Sequence, residues 1–378
     1  MKLIHVIHLV ESSNRHGWLE KLIEQLNKKG ISQTLVTLES DGEINAYLSS
    51  KYPKLQLVHN HKKRLNLATG VVAILGVRKK NSLNLVFALG HPAAFIGAVT
   101  TIFPGMRLIF SHMQQPNFFK LMKPRWRGVI HNLVYNLYIA RATLIHSLSG
   151  EVSEFLAKKG VKQDKIFKVN IGVNFEGIRE KLVTEDQSIA IPPGSPRLLM
   201  VGRLAPEKNY ELAFKTFAIF LEDNPDALLL VAGVGPQETK LKKLARELNL
   251  CKHIVFLGYV GNIPWLMTRV DVLLHLATTE SYGQIYMEAI LSNLSVVCSR
   301  TGVAIDLHED NTLGVFIVNE LSDEGILDKL NLCLKLKKTS TNANTDPFNT
   351  FKNHDEKFVY EKIADSFQSF VDIDNETY

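Results

Sequence analysis

Two carboxylates, Glu280 and Glu288, stand eight positions apart in the stretch Glu280-Ser281-Tyr282-Gly283-Gln284-Ile285-Tyr286-Met287-Glu288. An apolar run with the character of a buried strand, Val272-Leu273-Leu274-His275-Leu276, precedes them, and Ala289-Ile290-Leu291 behind them reads as helix. Strand, glycine loop and helix start bring backbone amides and the positive end of a helix dipole to one point, which suits an anion. Carboxylates beside such a point do not hold phosphate. They accept hydrogen bonds from hydroxyls, and sugar or ribose hydroxyls fit. A solvated surface loop would show the same spacing. Upstream, Gly202-Arg203-Leu204-Ala205-Pro206-Glu207-Lys208-Asn209 follows a strand-like run and sets an Arg and a Lys five positions apart at a strand–loop–helix mouth. Arg offers a fork of donors and Lys a point charge, together a pincer for a diphosphate, although Lys208 alone would also read as an exposed helix-start lysine. His112 closes a third strand-like run, where its ring would reach the crevice at a strand's carboxyl end. With 13 histidines in the chain, a core or surface histidine is the competing reading.

The elements that must position these residues alternate strand and helix. Residues 2–10 read as strand, 18–29 as helix ended by Gly30, and 31–38 as strand, the opening of a doubly wound α/β sheet. The same rhythm resumes after residues 184–197, where Pro192-Pro193-Gly194 and Pro196 mark a linker. With 378 residues the chain exceeds one ordinary core, and two domains are expected, residues 1–183 and 198–353. Residues 354–378 form an amphipathic helix with Phe358, Ile363, Phe367 and Phe370 on related faces. No charged residue occurs between Lys80 and Arg107, long enough to span a bilayer, but Gly90-His91-Pro92 splits the run into a buried strand and helix. Met1 to Val10 is strand-like and lacks the small-residue cleavage site of a signal peptide. Cys251, Cys298 and Cys333 are widely spaced and show no metal-ligand pattern, as in a reducing compartment.

The carboxylate pair with its aromatic-Gly centre, the Gly202 to Lys208 segment, Asn170-Ile171-Gly172-Val173-Asn174, Gly233-Val234-Gly235 and Gly258-Tyr259-Val260 occur in one order. In that order they resemble the GT4-type (glycosyl transferases group 1) retaining glycosyltransferases. The resemblance implies a GT-B fold: two Rossmann-like doubly wound domains facing across a cleft, the first binding acceptor and the second the donor nucleotide, with the last helix packed back on the first domain. It implies a nucleoside-diphosphate sugar as donor, with retention of configuration. Arg203 and Lys208 would stabilise the leaving diphosphate, Glu280 would accept from the transferred sugar, and His112 would face that sugar from the first domain. Glu288 would accept from the ribose. Gly202, Gly233, Gly235, Tyr259, Val260, Tyr282, Gly283 and Gln284 would line the donor site. No carboxylate pair of the DxD type lies near a plausible phosphate site, so no metal or cofactor is expected. Two departures stand out. The first loop carries Ser12, Ser13 and Asn14 where the family has Gly-Gly, and Asn174 stands where Asp is usual. A GT-B epimerase or phosphorylase, or a non-enzymatic anion- or nucleic-acid-binding protein, would share parts of this pattern.

Charge is divided unevenly. Residues 1–183 hold 26 Lys and Arg against 11 Asp and Glu, a net of +15, and residues 184–378 carry a net of −9. From Ile44 through Gly150 there are fourteen Lys or Arg and no carboxylate. A domain so basic faces something anionic. Phe118, Phe119 and Trp126 lie among Lys120, Lys123, Arg125 and Arg127, as in an interfacial segment that sinks rings and binds headgroups, although a basic helix packed on its own domain has the same composition. No nucleic-acid motif accompanies the charge, so no nucleic acid partner is expected. The expectation is a cytoplasmic enzyme, peripheral on the inner membrane face, that builds on a lipid-linked or other saccharide acceptor in surface polysaccharide or lipopolysaccharide synthesis.

Overall fold

The computed structural model describes residues 3–10, 17–39, 43–59, 65–80, 82–112, 125–186, 189–309, 314–339 and 346–376. They form two compact units, residues 1–172 with 353–378, and residues 173–352. The first unit holds seven parallel strands in the order β3-β2-β1-β4-β5-β6-β7. These are β1 (Leu3–Val10), β2 (Ser32–Thr37), β3 (Gln56–Val58), β4 (Ser82–Leu89), β5 (Met106–His112), β6 (Leu144–Ser147) and β7 (Ile166–Lys168). The second holds six parallel strands in the order β10-β9-β8-β11-β12-β13. They are β8 (Arg197–Val201), β9 (Leu228–Ala232), β10 (Ile254–Gly258), β11 (Val272–His275), β12 (Ser295–Ser299) and β13 (Val315–Val318). Each order reverses once, between β1 and β4 and between β8 and β11. Ligands collect at such points, outside the carboxyl ends of the strands.

Both faces of the first sheet are covered, which is why its strands read as nearly continuous apolar runs. On one face Val6, Leu85 and Phe87 pack with Leu19, Leu22 and Leu26 of the helix Gly17–Lys28 and with Val359, Ile363 and Phe367 of the helix Glu356–Glu376. The Phe87 and Phe367 rings meet edge to face at 5.2 Å. The chain's last helix is thus part of the first unit's core. On the other face Ile7, Val86 and Leu108 pack with Ile74, Ile96, Tyr135 and Tyr138. The uncharged run between Lys80 and Arg107 is β4 followed by the helix His91–Thr100, a buried strand–helix unit. Among the described residues, no helix is long and apolar enough to cross a membrane.

The division between the units falls at Gly172/Val173, ahead of the Pro-rich 184–197 segment read from sequence as the linker. The helix Phe175–Val183 packs against the helix Ile263–Met267, which draws it into the second unit. Asn174 caps it by accepting from the Gly177 amide at 2.8 Å. An Asp would make the same bond, so this departure from the family pattern costs nothing locally.

Candidate functional site

The loop after β8 contains Gly202 and Arg203 and turns through a short 3-10 segment, Pro206–Lys208. It is held by the loop after β9: the Gly202 amide donates to Ala232 O (3.0 Å) and the Leu204 amide to Val234 O (3.0 Å). A Cβ on Gly233 would fall 1.9 Å from the Gly202 carbonyl oxygen, so only glycine permits this approach. Gly235 is pressed equally against the Leu204 backbone. In the structure these two glycines set the shape of the Arg203–Lys208 loop.

The two cations of the expected pincer are each paired with a carboxylate. Arg203 Nη2 donates to Glu207 Oε1 at 2.6 Å from an exposed side chain. Lys208 Nζ, largely buried, donates to Glu280 Oε1. The same Glu280 oxygen accepts from His275 Nε2 at 3.0 Å. Burial works to raise the Glu280 pKa, but the His275 hydrogen bond and the Lys208 charge outweigh it and hold the carboxyl below its ordinary value. His275 is fully buried. Burial lowers its pKa, and although the bond to Glu280 opposes this, the ring stays below the ordinary histidine value. It is a neutral donor at physiological pH, and its ring lies edge-on to Tyr286 at 5.0 Å. The Tyr286 hydroxyl in turn bonds Thr301 Oγ1 at 2.8 Å.

The loops after β8 and β11 are tied together. The Glu207 carbonyl accepts from the Thr278 amide at 2.8 Å, three residues after β11 ends. Tyr282 is buried, and its carbonyl accepts from the Val303 amide at 2.7 Å. Gly283 has φ 81° and starts the helix Gln284–Leu291, and no side chain caps the first turn. A Cβ there would strike the Tyr286 ring at 2.6 Å. Gln284 is exposed at the first helical position.

Glu288, one turn into that helix, is a different carboxylate. Burial raises its pKa above the ordinary value, and the charge of Lys181 opposes this in part. Tyr259, after β10, is 81% exposed, while Val260 is buried. His112 ends β5 in the first unit, buried among Phe110, Tyr135 and Phe155 with ring centroids 5.6–5.7 Å away. His91, 6.4 Å from it, bonds the Tyr138 hydroxyl through Nδ1. Within the second unit, then, Arg203, Lys208 and Glu280 come together with Gly202, Gly233 and Gly235 around the ends of β8, β9 and β11. Sequence reasoning missed Glu207, His275 and His91. His275 carried the signal that singled out His112, a histidine closing a strand. The first loop with Ser12, Ser13 and Asn14, and the residues Phe118, Phe119, Lys120 and Lys123, lie outside the described residues; Arg125, Trp126 and Arg127 are exposed.

Residues 184–346 match the family model described as glycosyl transferases group 1. The second unit carries a glycosyl transferases group 1 domain. Curated relatives of this domain include the alpha-monoglucosyldiacylglycerol synthase of Acholeplasma laidlawii, 28% identical over 144 residues, 37% of this chain and 34% of that protein. Another is the N-acetylgalactosamine-N,N'-diacetylbacillosaminyl-diphospho-undecaprenol 4-alpha-N-acetylgalactosaminyltransferase of Campylobacter jejuni, 23% identical over 214 residues, 56% of each chain. The chain thus matches about a third to just over half the length of these relatives. The whole fold resembles Anabaena HepE, solved in complex with UDP, with a TM-score of 0.71 at 17% identity over 98% of this chain and 100% of that one. The architecture around the glycosyl transferases group 1 domain is therefore GT-B, two parallel α/β sheets of seven and six strands.

Proposed function

We propose that the chain is a glycosyltransferase that moves a sugar from a nucleoside-diphosphate sugar, with retention, to a lipid-linked saccharide acceptor. The observation that carries the reading is the Lys208–Glu280–His275 cluster beside Arg203–Glu207, at the reversal between β8 and β11. A diphosphate entering there would draw Arg203 and Lys208 from their carboxylate partners, and the two cations would take up charge as the bond from C1 of the sugar to the phosphate oxygen breaks. The acceptor oxygen bonds C1 on the same face, and its proton leaves on the departing phosphate oxygen. Glu280, released from Lys208 and still held by His275, would accept from the sugar hydroxyls. Glu288 would accept from the ribose, and the exposed Tyr259 would lie beside the base. With two side-chain cations on the diphosphate, this reading needs no resident metal.

The UDP complex of HepE supports a uridine donor, and the diacylglycerol and undecaprenol relatives support a lipid-borne acceptor. With the basic first unit, these favour work at the inner face of a membrane. The test is transfer from a panel of nucleotide sugars to lipid-linked saccharides, with product anomers read by NMR. Retained configuration with one preferred nucleotide is expected. An inverted product, or turnover that requires inorganic phosphate as in a phosphorylase, would overturn the reading. Glu288→Gln should weaken binding of the free nucleoside diphosphate in calorimetric titration; unchanged affinity would remove Glu288 from the ribose.

A further inference from the structure

The helix Arg125–Arg141 packs inward through Tyr135, Tyr138 and Ile139, all buried. Its other side is unusual. Trp126, Val129, Ile130, Leu133 and Leu137 are 49–63% exposed. At 100° per residue these five fall within an arc of about 100°, a continuous apolar stripe along the helix. Arg125 borders the stripe on one side, and Arg127 and Arg141 on the other. The Arg127 guanidinium lies over the Trp126 ring, 5.6 Å from its centroid. The helices Leu67–Val77 and His91–Thr100 pack beside it in sequence on the same sheet face. Leu67 and Val72 on the first and Ile102, just beyond the end of the second, are exposed as well.

Isolated exposed apolar residues need no explanation, but an aligned stripe on one helix does. We propose that this stripe is the surface by which the chain lies on an anionic lipid bilayer, with the helix in the plane of the interface. Seventeen residues make a helix of about 25 Å that is apolar on one side only, which suits lying in the headgroup boundary rather than crossing it. Charge selects the occupant. No carboxylate occurs from Ile44 through Gly150, a span that holds this helix and the two packed in sequence beside it, so anionic headgroups would meet cations there. Glu151 and Glu154 lie on the helix Gly150–Lys158, which packs on Tyr135 through Phe155. A second copy docked through the same face would bring Arg125, Arg127 and Arg141 against a like-charged surface, which disfavours association. The inference deepens the proposed function by naming the surface through which a lipid-borne acceptor would be reached, and it rests on that reading only for its purpose.

The full chain is tested by co-sedimentation with mixed phosphatidylglycerol–phosphatidylcholine vesicles and with pure phosphatidylcholine vesicles. Binding should require the anionic lipid and weaken as salt rises. The variant V129Q/L133Q/L137Q changes only exposed side chains, so it should melt like the parent yet lose at least about tenfold in vesicle affinity. R125Q/R127Q/R141Q should bind less and show a flatter salt dependence. Trp126 fluorescence should shift to the blue on binding, a change absent in Trp126→Phe. Equal vesicle affinity of V129Q/L133Q/L137Q and parent overturns the proposal, as does equal binding to both vesicle types. A lipid-free dimer that the same variant abolishes would assign the stripe to a second copy instead. Transfer from the nucleotide-sugar panel to lipid-linked saccharides is read alongside: vesicle binding without transfer sinks the enzyme reading and leaves the surface standing.

Discussion

The two sheets share a strand order around their reversal points, yet their carboxyl ends carry opposite chemistry. In the second unit the ends of β8 and β11 present Arg203, Glu207, Lys208 and Glu280, charges held in pairs. In the first unit the ends of β4 and β5 present His91 and His112 among Phe110, Tyr135, Tyr138 and Phe155. His91 is held down to about 3 by burial, with His112 and His131 adding to the effect, so it carries no charge at physiological pH. Among the described residues, the strand ends of the second unit are built to exchange ionic partners and those of the first to stay neutral. A shared topology fixes where ligands collect, and the loop residues fix whether the ligand met there is an anion.

Acid should separate the two units most strongly. Burial lowers His5, His8 and His146 to about 4, against an ordinary 6.5. His8 donates to Gln33 Oε1 at 2.8 Å, and its Nδ1 is buried without a partner that a proton there would need. His146 donates to Val169 O at 2.7 Å, and its other nitrogen faces Ser111. A histidine with a lowered folded pKa contributes stability that is complete above 6.5 and is lost as pH falls toward the folded value. Each pKa unit is worth ~1.4 kcal/mol, so His8 and His146 alone withdraw several kcal/mol between pH 6.5 and 4. In the second unit His275, also lowered by burial, adds one such loss, against those of His5, His8 and His146 in the first, and the carboxylate Glu280 responds later. Its lowered pKa contributes stability present above its unfolded value of 4.5 and lost only as pH falls through the lower folded one. Amide hydrogen exchange at pH 7 and pH 4.5 should show protection lost first in β1, β4 and β6. Uniform loss across both sheets would erase the contrast.

The next effect is on turnover. Lys208→Ala removes one preorganised donor to the leaving diphosphate and leaves Glu280 with only neutral His275. A loss of about 2–4 kcal/mol in transition-state stabilisation is expected, read as kcat/KM with folding checked by melting. His275→Phe keeps the contact with Tyr286 but frees Glu280 to swing, so kcat should fall with little change in nucleotide affinity. A variant at Lys208 that turned over donor near the parental rate would break the assignment of the charged end.

Much of this contrast was legible before the structure. The strand–glycine–helix pattern placed Lys208 and Glu280 at strand ends, and adjacency of β8 and β11 follows from the doubly wound order. What the sequence could not show was pairing. Glu207 lies one residue before Lys208, yet its carboxylate reaches Arg203, because the 3-10 turn brings positions four apart together. His275 read as one more apolar-strand residue because the apolar run continues to Leu276 and hides that the strand closes at the histidine. Gly233 and Gly235 were expected to line the donor site, and the structure adds a packing role that spacing did not show: both give way to the backbone of the loop after β8. The division between the compact units lies ahead of the expected 184–197 linker for a similar reason: the helix Phe175–Val183 packs against the helix Ile263–Met267. Local pattern shows which residues end a strand, and packing decides which of them meet.

The smallest expected effect tests that pairing directly. In the absence of a ligand, Glu207 holds Arg203, so a diphosphate must displace a carboxylate to use the guanidinium. Glu207→Gln removes the competing charge. The tie to the β11 loop survives, because Thr278 bonds the Glu207 carbonyl and not its side chain. An exposed ion pair is worth ~0–1 kcal/mol, so affinity for free nucleoside diphosphate should rise by up to about fivefold in calorimetry. The gain should shrink at high salt, where the pair is already screened. Glu280→Gln also frees its cation, but that variant should lose turnover because the same carboxylate is assigned to the sugar. If Glu207→Gln bound the diphosphate no better than the parent at low salt, the Arg203–Glu207 pair would not be a competitor of the ligand, and Arg203 would have to reach its anion by some other route than leaving Glu207.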